Sequence, residues 1–159
     1  MLDPDAYVLS PLVVTEIADI RPDVLREYRF RKLIDVYGRM QPNGHWAYSL
    51  RDAVGIWAGL KLFTEAKLSR ASALEVAHRM APDVIGAVRG TSAWRKFHAS
   101  VYTDDTDAGG ARGWDFSWRS NRLEDLPAGA LVVDHLVDVE LFAAAVPPEL
   151  RDAIMGTAA

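Results

Sequence analysis

The tetrapeptide Gln41-Pro42-Asn43-Gly44 separates two short runs, Ile34-Asp35-Val36-Tyr37 and His45-Trp46-Ala47-Tyr48. Asn-Gly between such runs is the strongest short-range signal for a chain reversal between strands. Residues 35–48 are therefore expected as a two-stranded ribbon. Apolar residues at helical spacing flank that ribbon on both sides, which restricts the first half of the chain to a helical body carrying one small hairpin.

Upstream, Leu12, Val13, Ile17 and Ile20 predict a short helix over 11–19. Residues 1–10 read as a loosely ordered lead-in. Ile20-Arg21-Pro22-Asp23 is a turn, and Pro22 suits the first turn of a helix because its missing N–H is not needed there. Asp23 complements the positive end of that helix. The second helix is expected over 22–33, with Val24, Leu25, Tyr28 and Leu33 on its apolar side. Downstream, Ser49 is a good N-cap for a helix over 50–67. Ser69 opens another over 70–80, which Ala81-Pro82 is expected to end.

The texture changes after Gly90. Alternation over 94–102 and again over 114–118 predicts a hairpin with a long polar loop containing Asp104, Asp105 and Asp107. A short strand is expected over 131–134, then helices over 137–145 and 147–154. Trp46 and Trp57 are assigned to the core of the first half, and Trp94, Trp114 and Trp118 to packing of the second. The fold class is α+β.

Half of the 159 residues are hydrophobic and a quarter are charged, an ordinary globular balance. The absence of cysteine excludes disulfides, thiolate metal sites and a cysteine nucleophile. No run approaches the ~20 apolar residues that span a bilayer. The acidic start lacks a signal peptide's basic region, so a cytoplasmic location is expected. The net charge of −4 is unevenly spread. Residues 21–51 carry seven cations against three carboxylates, whereas residues 91–159 carry six against eleven. A local basic patch beside an acidic half suits a small protein with a limited nucleic-acid footprint.

The order helix, tight turn, helix, ribbon, helix, helix resembles the winged helix-turn-helix of the MerR family of DNA-binding proteins. The residues that carry the likeness are Leu25-Arg26-Glu27-Tyr28 with Arg31-Lys32-Leu33-Ile34, then His45-Trp46-Ala47-Tyr48-Ser49-Leu50-Arg51-Asp52, then the turn Ala66-Lys67-Leu68-Ser69-Arg70. The resemblance covers about half the chain. It implies a DNA-binding winged helix over 10–85, followed by an acidic α+β module over 91–156. Ile20-Arg21 stands where that family has Gly-Val-Ser, and its long dimerising helix and cysteine metal sensor are absent.

The resemblance implies a transcriptional regulator that binds double-stranded DNA, with helix 22–33 in the major groove and ribbon 35–48 on the flanking backbone. Arg26 corresponds to the family's phosphate-contacting arginine, and Arg29 is expected on the same face. Arg21 and Asp23 are candidates for base edges, arginine to guanine and carboxylate to cytosine. Arg31, Lys32, Arg39, Asn43 and His45 complete the expected DNA-binding set. A homodimer reading two half-sites is expected. No nucleophile elbow, phosphate loop or dinucleotide fingerprint occurs, so the reading is non-enzymatic, with no cofactor. His45, His78, His98 and His135 fall in different expected elements, so no metal site is expected. The alternative is a protein-interaction module of toxin, inhibitor or replication-clamp-binding type, docking through the second half. Val139-Glu140-Leu141-Phe142 slightly resembles a clamp-binding peptide.

Overall fold

A computed structural model of the protein describes residues 3–91, 94–103, 113–126 and 130–157; the loop holding Asp104, Asp105 and Asp107, and the side chain of Trp114, lie outside what is described. The architecture is mixed helix and sheet, with two small antiparallel sheets among the described residues.

Helix α1 (Pro11–Ile17) starts at Ser10, whose side chain accepts from the Val13 N–H. Its end is fixed by Asp19 in the left-handed region (φ 51°) and by the Ile20 N–H donating to the Thr15 carbonyl at 3.0 Å. Helix α2 (Pro22–Phe30) ends the same way and three residues earlier than expected. Lys32 takes φ 56°, its N–H meets the Arg29 carbonyl, and the Leu33 N–H meets the Tyr28 carbonyl at 2.9 Å. This paired closure satisfies carbonyls that the helix leaves open. Arg31 and Lys32 therefore belong to a turn and not to the helix.

The ribbon is shorter than 35–48. Strands β1 (Arg39–Met40) and β2 (Trp46–Ala47) pair two residues each. The preceding segment turns inward because Ile34 and Tyr37 are fully buried, and the Tyr37 hydroxyl donates to the Leu74 carbonyl at 2.5 Å. At the tip the Gly44 N–H donates to the Gln41 carbonyl, and Gly44 takes φ 78° while Asn43 does not. Pro42 and Asn43 thus form the turn, with Gly44 as the left-handed residue after it. The lead-in is more ordered than expected. Leu9 exchanges both backbone hydrogen bonds with Tyr48, and the Arg51 N–H donates to the Pro4 carbonyl.

Helix α3 (Leu50–Glu65) opens with a reciprocal cap. The Ser49 hydroxyl accepts from the Asp52 N–H at 3.1 Å, and the Asp52 carboxylate accepts from the Ser49 N–H at 2.9 Å. Asp52 is buried and also accepts from the Gly38 N–H at 3.1 Å, which joins the ribbon's entry to the helix. Helix α4 (Arg70–Arg89) packs along α3. A Cβ at Gly59 would lie 2.7 Å from Leu74 Cδ2 and 3.2 Å from Leu74 Cα, so glycine there permits the close approach.

The expected break at Ala81-Pro82 does not occur, and α4 continues through Pro82 to Gly90. An interior proline costs about 3 kcal/mol. Against this stand Met80, Ala81 and Val84, fully buried, and Ile85, nearly so. Burying such side chains contributes about 1.5–3 kcal/mol for each large one, so packing outweighs propensity.

Strands β3 (Phe97–Thr103), β4 (Gly113–Ser120) and β5 (Ala130–Asp138) form a sheet in the order β4-β3-β5. The expected hairpin is β3-β4, and β5 is longer than the expected 131–134. Helices α5 (Val139–Ala144) and α6 (Pro148–Met155) return to the first half. One apolar cluster runs from Leu9 to Ile154, and Trp57 of α3 meets Phe142 of α5 edge-on at 5.1 Å. The Arg89 guanidinium donates to the Ile154 carbonyl at 2.9 Å. The expected boundary between 85 and 91 falls on the last turn and cap of α4, and the elements on its two sides share a core. Phe142 is spent on that core, so Val139–Phe142 is not an extended peptide open for docking. Among the described residues no helix is long and apolar enough to cross a membrane.

Candidate nucleic-acid interface

Leu25 and Tyr28 turn the inner side of α2 into the core, which leaves Arg21, Asp23, Arg26 and Phe30 on its outer side. Arg26 is exposed and makes no hydrogen bond or ion pair with any described residue. It borders a shallow hollow of about 160 Å³ with Pro11, Leu25, Trp46 and Tyr48, so it sits where α2, α1 and the hairpin meet.

Arg29 lines the same hollow, but its guanidinium is engaged. Its guanidinium lies 3.5 Å from the centroid of the Trp46 ring, and donates to the Tyr37 carbonyl at 2.7 Å and the Tyr48 hydroxyl at 2.9 Å. The expectation that Arg29 shares an outward face with Arg26 is corrected: its cation clamps the hairpin to α2. Three residues on a helix are close but not superimposed, and the hairpin covers only Arg29.

Arg21 and Asp23 pair with each other, Nε to Oδ1 at 3.0 Å and Nη2 to Oδ2 at 2.5 Å. The hydrogen bond from Arg21 lowers the Asp23 carboxyl below its ordinary value. Both are exposed, and exposed pairs of this kind are readily exchanged for other partners. Arg31 pairs with Glu27 at 2.9 Å. On the hairpin, Arg39 stacks on the Tyr7 ring at 4.4 Å, and the Asn43 side chain accepts from the His45 N–H at 3.0 Å, so Asn43 shapes the tip. Lys32 borders a different cleft, on the side toward α4. Arg26 thus borders the hairpin, Arg21 and Asp23 lie exposed at the start of α2, and Lys32 lies at a separate cleft.

That second cleft was not anticipated. Its walls include Lys32, Arg51, His78, Arg79 and Arg119, drawn from the turn after α2, the first turn of α3, α4, and β4. Only Glu75 and Arg79, at helical spacing, and the out-of-place Pro82 hint at it in the sequence. The His78 ring stands edge-on to Tyr37 at 5.1 Å. Burial lowers its pKa from the ordinary 6.5; Asp52 opposes that shift, and Arg51 and Arg79 add to it. Between the lowered value and 6.5 the unfolded chain binds more protons than the folded one, so stability falls as pH drops through that window. Thermal unfolding followed from pH 7 downward is expected to show that loss, and His78→Gln is expected to flatten it. An equally steep loss in the variant would refute the assignment.

The histidines are less scattered than the sequence suggests, since His98 and His135 stack at 6.2 Å across β3 and β5. Among the described residues no group of three metal-ligating side chains forms. Comparison with protein-family models, curated proteins and solved structures gives no match for this chain.

Proposed function

We propose that the protein is a sequence-specific double-stranded DNA-binding transcriptional regulator of the winged helix-turn-helix kind. The supporting observation is Arg26, an exposed cation with no partner among the described residues, placed on α2 beside the hairpin. The order α1, turn, α2, hairpin, α3, α4 also agrees with that reading. In it, α2 enters the major groove, whose width of about 12 Å admits a helix. Arg26 contacts phosphate, Arg21 and Asp23 exchange their mutual pair for base edges, and Arg39, Asn43 and His45 lie along the flanking backbone. Two copies reading two half-sites make the homodimer part of the proposal, as is a cytoplasmic location.

Phosphate contacts supply affinity and base contacts supply selectivity. Arg26→Gln is therefore expected to weaken binding to specific and random duplexes alike, by about tenfold, and to lower the salt slope by about 1. Fluorescence anisotropy with labelled duplexes at several salt concentrations measures both. Unchanged affinity and slope would remove the reading's main support.

A further inference from the structure

The cleft between α4 and the turn after α2 encloses about 710 Å³, within the size range of sites for small molecules. Four cations border it, Lys32, Arg51, Arg79 and Arg119, against the carboxylates of Asp35 and Glu75. Asp5 and Asp83, outside the wall, pair with Arg51 and Arg119, so an anion drawn to this cluster of cations would share or displace those partners.

The three arginines are held in place. Arg119 reaches from β4 to α4, where its Nε lies 3.1 Å from the buried Asp83 carboxylate and its Nη2 donates to the Arg79 carbonyl at 2.5 Å. Arg79 pairs with Glu75 at 3.0 Å, and Arg51 with Asp5 at 3.0 Å. Pro82, in the wall, lacks the N–H that would meet the His78 carbonyl. Fixed guanidinium forks recognise phosphate and carboxylate oxygens with little further ordering.

Two residues of the wall carry buried polar atoms without a hydrogen-bond partner, Arg51 Nε and His78 Nδ1. Buried polar atoms are nearly always satisfied. Arg51 Nε can only donate, so what it lacks is an acceptor.

We propose that this cleft binds a small polyanion, a molecule carrying phosphoryl groups or several carboxylates, with Lys32, Arg51 and Arg119 as its charge partners. The inference stands apart from the DNA reading, since the cleft is lined by other residues than those around Arg26. A duplex is the less suitable occupant, since it presents a convex rod to a concave site.

Titration calorimetry of the full chain with inorganic tripolyphosphate, and separately with citrate, tests this at physiological salt. At least one is expected to bind, and preference between them separates phosphoryl from carboxylate recognition. Lys32→Asn keeps a residue that tolerates the left-handed backbone and removes the charge. It and Arg119→Gln are each expected to weaken binding by about tenfold, the effect of one charge-assisted hydrogen bond, whereas Arg26→Gln binds as the unaltered chain does. Should Arg119→Gln fail to fold for want of a partner to Asp83, Lys32→Asn alone decides. No binding of either anion, or equal affinity in Lys32→Asn, overturns the proposal. So does a short duplex that displaces tripolyphosphate and is itself weakened by Lys32→Asn, an outcome that would assign the cleft to backbone phosphate.

Discussion

Arg29→Ala is expected to lower the unfolding free energy by about 3 kcal/mol, although the residue sits on a helix whose other arginine, Arg26, faces solvent. Two charge-assisted hydrogen bonds are lost, to the Tyr37 carbonyl and the Tyr48 hydroxyl, and the Trp46 ring loses the cation stacked upon it. Each such bond is worth about 1.5–3 kcal/mol and the stacking about 0.5–2, less what is recovered by no longer desolvating a cation. For a chain of this length that is a fall in melting temperature of about 6–12 °C. Trp46 emission is expected to shift to the red as the hairpin leaves α2. Arg29→Lys keeps the charge but not the planar fork, so it should fall between the two. A loss below about 0.5 kcal/mol, the usual limit for a surface substitution, would mean that Arg29 is only a solvated surface cation.

The second large effect is expected at Asp52. Its carboxylate receives the Ser49 N–H, which starts α3, and the Gly38 N–H, which enters the hairpin. Asp52→Ala leaves both donors without an acceptor in a buried place, and the expected cost is again about 3 kcal/mol. Asp52→Asn retains an acceptor oxygen and should cost about half of that. Denaturant unfolding followed by far-ultraviolet circular dichroism distinguishes the three chains. If alanine and asparagine prove equivalent, the two hydrogen bonds are not what Asp52 contributes.

The contrast between Arg26 and Arg29 shows how far the sequence could be read. Spacing places both on the polar side of α2, and local sequence carries nothing to separate them. The separation comes from Trp46, seventeen residues past Arg29, which β2 lays over one guanidinium and not the other. The same limit applies at Pro82. As a local signal it ends a helix, and the opposing term comes from residues that α3, α5 and α6 bring against α4. Caps were legible because their partners lie within three residues: Ser49 and Ser69 both accept the expected hydrogen bond. The hairpin was legible as a reversal, but not its shortness, since that depends on Tyr37 reaching the Leu74 carbonyl. The cleft was hidden for the same reason, as Lys32 and Arg119 meet only through the fold.

The core that α1 and α3 begin is finished by Phe142 and Ile154. Two-part chains are often pictured as a head joined to an exchangeable body by a hinge. Here no such exchange is neutral. A different second half, grafted after Gly90, would have to bring its own aromatic group for Trp57 and its own helix for α1 to lie against, so this head and this body have to change together.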